Sequence, residues 1–347
     1  MFSLQLNEVL INDFEQIRHD TNSFSNLNNK SILLTGGTGL IGSYLISYLE
    51  YLINSYDYNI DLYILVRHKT TQLLDNIAKS ISVIEGDLRY HIHELTNFTE
   101  KFDIILHLGS PASPRNFTNR TATFLPNIVG TSNLLPTLRP SGIFFLASTT
   151  GVYGSKHQNQ LPFTETSFGS LDCLHNIACY LESKRAAETL VDAYCWDNNL
   201  DYRIARMSIC FGPGIKRNDG RLFSDICYSL LDQTKIQLTS DGTAIRNFTY
   251  LSDCVTAVLN IIFNGSKNSV FNLASSQSMR VIDLAERLSE LYQLNQVEFV
   301  MPAKTYERFE VDDSTVDVSK LEGLGWCRRY DTIETFKRTI EYLTLCK

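Results

Sequence analysis

The sequence has no C-x-x-C pair, although it contains eight cysteines, at 173, 179, 195, 210, 227, 254, 327 and 346. No Cys/His grouping has zinc spacing either. His91 and His93 stand close together, but no second pair completes a site, so no bound metal is expected. No window approaches about 18 uninterrupted apolar residues, which excludes a membrane-spanning helix. The opening residues MFSLQLNEVLINDFEQIRHD are too acidic for a secretory signal. A long basic block is also missing and the net charge is −7, which argues against nucleic acid as the main partner. Most cysteines sit in apolar stretches, as reduced core thiols do, and this reads as a cytoplasmic chain.

What is present suits a soluble globular protein. The 347 residues are 44% hydrophobic and 20% charged, enough for a large core and two subdomains. The most telling stretch is Ser31-Ile-Leu-Leu-Thr-Gly-Gly-Thr-Gly-Leu-Ile-Gly42. An apolar strand breaks into Gly36, Gly37, Gly39 and Gly42, and a helical pattern follows from Leu40 and Ile41 through Leu45, Ile46 and Leu49. Strand, glycine turn and helix start together make a place for a pyrophosphate. Glycines let the backbone approach, and the helix start offers unpaired N–H groups with a partial positive charge.

From Ser31 onward, strand candidates at 31–35, 61–66, 81–85, 103–108, 142–147 and 202–208 alternate with helix candidates at 40–54, about 71–79, 121–138 and 176–197. This rhythm predicts an α/β fold: a Rossmann-type doubly wound parallel sheet over 30–210. After 210 the elements shorten. Helices near 221–232, 252–263, 281–293 and 331–344, with strands near 236–239 and 270–273, are read as a smaller C-terminal α/β substrate lobe over 211–347. Residues 1–29 are polar, with sparse apolar positions that fit one short amphipathic helix, lying against the main domain or over a partner subunit.

The second strand ends at Arg67-His68-Lys69, where a dinucleotide fold meets the adenosine ribose. Basic residues there suit a 2′-phosphate and favour NADP(H) over NAD(H). The third strand ends Glu85-Gly86-Asp87-Leu88, placing a carboxylate where an adenine amine could donate to it. The fourth, Ile104-Ile-Leu-His-Leu-Gly-Ser-Pro-Ala-Ser-Pro114, continues into small residues past which a cofactor fits. The fifth leads into Phe145-Leu-Ala-Ser-Thr-Thr-Gly-Val-Tyr-Gly154, and Tyr180-Leu-Glu-Ser-Lys184 follows inside a helical pattern. Spacing i, i+4 puts the phenol and the ammonium on one helix face. The nearby Lys184 is expected to lower the Tyr180 pKa toward working pH. Tyr180 then exchanges a proton with a sugar hydroxyl or carbonyl while nicotinamide exchanges a hydride, and Thr149 holds the same oxygen.

TGGTGLIG, GDL, HLGSPASP, STTGVYG, YLESK, RNFTYLSD and the closing DVSKLEGLGW together resemble the extended short-chain dehydrogenase/reductase family, the nucleotide-sugar epimerases and dehydratases, over residues 31 to about 345. The resemblance implies Thr149, Tyr180 and Lys184 as the catalytic triad. It implies cofactor contacts from Gly36, Gly39, Leu40, Ile41, Gly42, Arg67, Asp87, Leu88 and Leu108 beside Tyr180 and Lys184. It also implies a homodimer pairing two helices from each subunit. Arg246, in RNFTYLSD, resembles the arginine that grips the sugar-nucleotide diphosphate, a role for which a guanidinium fork is suited. Arg221 in NDGR and Arg308 are further candidate contacts to that nucleotide-diphosphate sugar.

Within the family, SPASP, Ala178-Cys-Tyr180, KRAAETL and NDGR look most like UDP-glucuronate decarboxylases. Two departures matter. The decarboxylases carry Glu two residues before the tyrosine of the VYG segment, and the 4,6-dehydratases carry Asp-Glu; this chain has Thr150-Gly151. Relatives also often have Asn where Ile209 stands, which suggests an unusual substrate pose. Without the carboxylates, dehydration and decarboxylation rank below plain hydride and proton transfer at hexose C4. The expectation is reduction of an NDP-4-keto-6-deoxyhexose, with C4 epimerisation as the alternative. A dinucleotide-binding sensor without catalysis is the rival from another class, against which the retained Tyr180 and Lys184 speak.

Overall fold

The computed structural model describes residues 4–22, 26–69, 81–113, 117–154, 162–217, 219–294, 297–300 and 315–346. Seven parallel strands form the main sheet, and their sequence patterns explain why. β1 (Lys30–Thr35), β2 (Ile60–Val66), β4 (Phe102–His107) and β6 (Asp201–Met207) are short runs with few exposed positions, as a sheet covered on both faces requires. β3 (Ile81–Glu85), β5 (Leu138–Thr149) and β10 (Ser269–Leu273) complete the spatial order β10-β6-β5-β4-β1-β2-β3. The chain therefore reverses direction across the sheet between β1 and β4. Ligands of such folds bind at that switch point, outside the strand C-termini.

The helix Leu40–Tyr56 starts from Gly39 without a side-chain cap, and its N-terminal N–H groups face the end of β1. The helix Ala178–Asp197 buries Ala178, Leu181, Lys184, Ala187, Val191 and Cys195, a stripe at three- and four-residue spacing. Lys184 thus occupies a core position on its helix. The helix Arg120–Leu134 packs beside it.

The second layer of structure follows β6. β7 (Ile209–Phe211), β9 (Ile245–Tyr250) and β11 (Ser278–Arg280) form a small sheet with β9 in the middle, and β8 (Gln237–Leu238) pairs with β12 (Glu298–Phe299). Phe211, Phe223, Phe248 and Phe336 fill its core between the helices Leu222–Leu231, Val281–Leu291 and Thr332–Leu345.

One expectation changes, and one strand is new. The strand near 270–273 does not belong to the smaller lobe. It pairs with β6 in parallel and closes the main sheet, because the buried helix Leu251–Asn264 packs back onto the main core and returns the chain there. β9 was hidden by its polar residues Arg246, Asn247 and Thr249, which break the apolar pattern of a strand. The amphipathic helix of the first residues is Glu8–Asp20, and Val9, Leu10, Phe14 and Ile17 bury it against the main core. The helix expected at 71–79 lies outside the described residues.

Candidate active site

The glycine turn is built so tightly that only glycine fits at two positions. Gly36 has φ +77°, and a Cβ there would stand 2.7 Å from the backbone N of Gly109. A Cβ on Gly42 would stand 2.3 Å from the Gly36 carbonyl oxygen. The chain saves that volume at the uncapped helix start, where an anion is favoured. Leu88 packs against Gly109 and Gly130 beside it, and Leu108 runs past Gly36. Leu40 and Ile41 open the helix and pack on the core.

Unpaired polar groups line the same strand ends. Ser110 Oγ, Ser113 Oγ and His107 Nε2 are buried and meet no hydrogen-bond partner among the described residues. His107 Nδ1 lies 2.8 Å from Thr35 Oγ1, and that hydroxyl accepts from the Gly109 N–H at 3.0 Å. Burial holds the imidazole down at about 3, and the positive Lys184 adds to this, so His107 is neutral. A cradle that a Cβ would fill, with buried groups awaiting partners, fits a dinucleotide.

At the adenosine edge, Arg67 is exposed at the end of β2. Asp87 is clasped by Arg89, whose Nε lies 3.1 and 3.0 Å from its two carboxylate oxygens and whose Nη2 lies 2.6 Å from one of them. That hydrogen bonding holds the Asp87 carboxyl below its ordinary range, with a smaller contribution from the charge of Arg67. The adenine contact expected of Asp87 thus competes with an internal partner.

The candidate reaction centre joins β5 to the helix Ala178–Asp197. Two successive strand residues are held by that one helix. The Ala147 carbonyl accepts from Lys184 Nζ at 2.7 Å and Ser148 Oγ donates to Glu188, while the next residue, Thr149, lies near enough to the Tyr180 hydroxyl to bear on its titration. Phe117 stacks on the Tyr180 ring with centroids 5.5 Å apart. Tyr180, Lys184 and Glu188 stand at i, i+4 and i+8, so one face carries all three.

Lys184 does not lower the phenol pKa here. Its ammonium is turned to the Ala147 carbonyl, and burial pushes the Tyr180 phenol up to about 12, against the opposing effects of the nearby Thr149 hydroxyl and the charge of Arg221. Burial draws Lys184 down to about 7, opposed by the charge of Glu188. The phenol is therefore protonated across the neutral range.

The sequence reading missed Ser148, Glu188, Arg206 and Phe117. Arg206 on β6 grips Glu188 with Nη2 at 2.7 Å and Nε at 3.2 Å from both oxygens, and lies 5.0 Å from the Tyr153 ring centre. The i+8 position of Glu188 was a usable signal; Arg206 comes from a distant strand and had none. At Gly151, where no carboxyl group stands, Leu181 takes the space: a Cβ at 151 would lie 2.5 Å from Leu181 Cδ2.

Of the substrate arginines, Arg221 binds Asp219 through Nε at 2.5 Å and Nη2 at 2.7 Å and is close enough to bear on Tyr180. Arg246 lies half-buried on β9 and donates from Nη1 to the Ile245 carbonyl at 2.9 Å. Arg308 lies outside the described residues.

Residues 32–274 match the profile of the NAD dependent epimerase/dehydratase family. UDP-glucuronic acid decarboxylase 6 of Arabidopsis thaliana is 32% identical over 305 residues, covering 86% of this chain and 84% of that protein. Among solved structures, UDP-glucose 4-epimerase of Thermotoga maritima, crystallised with UDP-glucose, superposes with a TM-score of 0.76 at 21% identity, covering 91% of this chain and 99% of the other. dTDP-glucose 4,6-dehydratase of Bacillus anthracis, in complex with NAD, gives 0.72 at 19% identity over 91% and 97%.

Proposed function

The chain belongs to the NAD dependent epimerase/dehydratase family, and from that premise we propose that it exchanges a hydride and a proton at C4 of a nucleotide-diphosphate hexose, reducing an NDP-4-keto-6-deoxyhexose. The observation that carries this reading is the Tyr180 phenol one helical turn from Lys184 beside the end of β5, with a methyl group of Leu181 in the space a side chain at 151 would enter. A phenol that keeps its proton near neutrality is the form that donates to a ketone oxygen. Residues 150 and 151 offer no carboxylic acid, so the wall suits plain reduction better than elimination.

Gly36, Gly39 and Gly42, with the backbone N–H groups of Leu40 and Ile41, would hold the pyrophosphate of a pyridine dinucleotide; Leu88, Leu108, Tyr180 and Lys184 would flank the rest. When bound, it supplies the hydride. Arg67 favours NADP(H), and NAD(H) is the alternative that the dehydratase complex brings to mind. Thr149 orients the substrate oxygen and Tyr180 gives it a proton. Lys184, held to the Ala147 carbonyl, stands one turn along the same helix face from Tyr180. Arg246 and Arg221 supply guanidinium groups for the diphosphate.

A second reading is supported by the relatives. C4 epimerisation uses the same proton and hydride transfers in both directions, and oxidation at C4 of a UDP-glucuronate would set up carbon dioxide loss as in the decarboxylases. Product analysis separates these. Net NADPH oxidation with an NDP-4-keto-6-deoxyhexose supports reduction. C4 epimers without net oxidation support epimerisation, and a UDP-pentose from UDP-glucuronate supports decarboxylation.

We also propose a homodimer through the helices Arg120–Leu134 and Ala178–Asp197. Phe124 on the first helix and Leu174, in the turn ahead of the second, are exposed around a cavity of about 440 Å³. Among the described residues no helix is long and apolar enough to cross a membrane, and all eight cysteines are free thiols, which supports a reducing, cytoplasmic setting.

A further inference from the structure

The family match begins at residue 32, after the helix Glu8–Asp20, yet that helix holds a fully buried carboxylate. Asp13 gathers three elements. The Tyr44 hydroxyl, on the helix that follows the glycine turn, donates to Asp13 Oδ2 at 2.9 Å. The Tyr250 hydroxyl, at the end of β9, donates to the same oxygen at 2.8 Å. Arg338, on the helix Thr332–Leu345, donates to Oδ1 and stacks over Tyr330 at 4.5 Å.

The same helix is tied on both sides along its length. Ahead of it, the Leu4 N–H donates to Ser47 Oγ at 2.7 Å. Near its far end, Gln16 accepts from the Tyr330 hydroxyl at 2.8 Å, and Asp20 pairs with Arg329 at 2.6 Å. The ties on one side reach the helix that starts at the cofactor turn. Those on the other reach β9, which carries Arg246, and the elements packed behind it.

An apolar side chain would fill the space of Asp13 at less cost, since a buried ion pair is weak support for stability. What a carboxylate adds is direction: its two oxygens fix two hydroxyls and a guanidinium from three elements at set angles. We propose that Asp13 is a positioning residue for nucleotide-sugar binding, and that the helix Glu8–Asp20 is a strut setting where the Arg246 strand stands relative to the glycine turn. This rests on the reading of Arg246 as a diphosphate contact.

The test uses the full-length chain with Asp13→Asn, and with Tyr250→Phe, which removes only the strand's bond to the carboxylate and keeps its ring. Hydrogen exchange followed by mass spectrometry reads the strut directly. In both variants the amides of Ile245–Tyr250 exchange faster, while those of β1 and β4 keep their rates. Faster exchange confined to residues 4–22, or spread evenly over the whole chain, overturns the proposal. Calorimetric titration with UDP, dTDP, GDP and CDP in turn, and with NADP+, reads the consequence. The nucleoside diphosphate that binds the wild type is expected to bind the variants about tenfold more weakly, with NADP+ within about twofold of wild type. Equal weakening of both ligands, or of neither, contradicts it. A wild type that binds none of the four diphosphates sinks the nucleotide-sugar reading, and the exchange result then decides the strut by itself.

Discussion

Tyr180 and Lys184 share a helix face, yet their buried environment treats them differently. The phenol keeps its proton while the ammonium becomes easy to lose. Tyr180→Phe removes only the transferable proton, so steady-state kinetics should show kcat/KM reduced by about 10² to 10⁴-fold without loss of folding. Lys184 has a folded-state pKa of about 7 against an ordinary 10.5. Between these values the unfolded chain binds the extra proton, so its contribution is full above 10.5 and is lost as pH falls through about 7. Urea unfolding of the unliganded protein should therefore show stability climbing with pH in that window, and Lys184→Met should flatten the climb. Arg67→Asp should move cofactor preference from NADPH toward NADH by about tenfold or more in the ratio of kcat/KM values, because a carboxylate repels the 2′-phosphate and accepts from a 2′-hydroxyl.

The helix that carries these residues is tied to β5 at Ala147 and Ser148, and the ion pair of Glu188 with Arg206 locks the far end of the helix face. Glu188→Gln leaves the partly buried Arg206 without its counter-charge, a loss of about 1.5–3 kcal/mol measurable by urea unfolding. The glycine turn was legible in the sequence because its steric demand shows as residue type: no other residue tolerates the approach of Gly42 to Gly36. The parallel strands of the main sheet were legible as apolar runs. β9 was not, because its polar residues face neighbours far away in sequence, with Asn247 donating to the Ser275 carbonyl and Thr249 accepting from the Ser275 N–H. Arg206 was silent for the same reason. The Tyr180-Lys184 pairing was legible from spacing, but the rise of the phenol pKa was not, since burial is a property of the assembled site.

At the scale of the whole molecule, the helix Glu8–Asp20 bridges two halves that the sequence separated, and the proposed homodimer would use the outer face of the helices Arg120–Leu134 and Ala178–Asp197. Phe124 is 37% exposed and Leu174 82% exposed, so a dimer there would remove apolar surface from water. Light scattering after size exclusion should give twice the chain mass for the wild type and one chain mass for Phe124→Glu. The proposed reduction takes a hydride from the nicotinamide to C4 and a proton from Tyr180 to the C4 oxygen, with no carboxylic acid at 150 or 151. Its most direct measurement is an assay of NADPH oxidation with dTDP-, UDP-, GDP- and CDP-4-keto-6-deoxyglucose, with each product read by NMR. One 6-deoxyhexose hydroxylated at C4 for every NADPH consumed, with one of these nucleotides, is the predicted result. No NADPH consumed with any of them, while UDP-glucuronate yields a UDP-pentose, would contradict it.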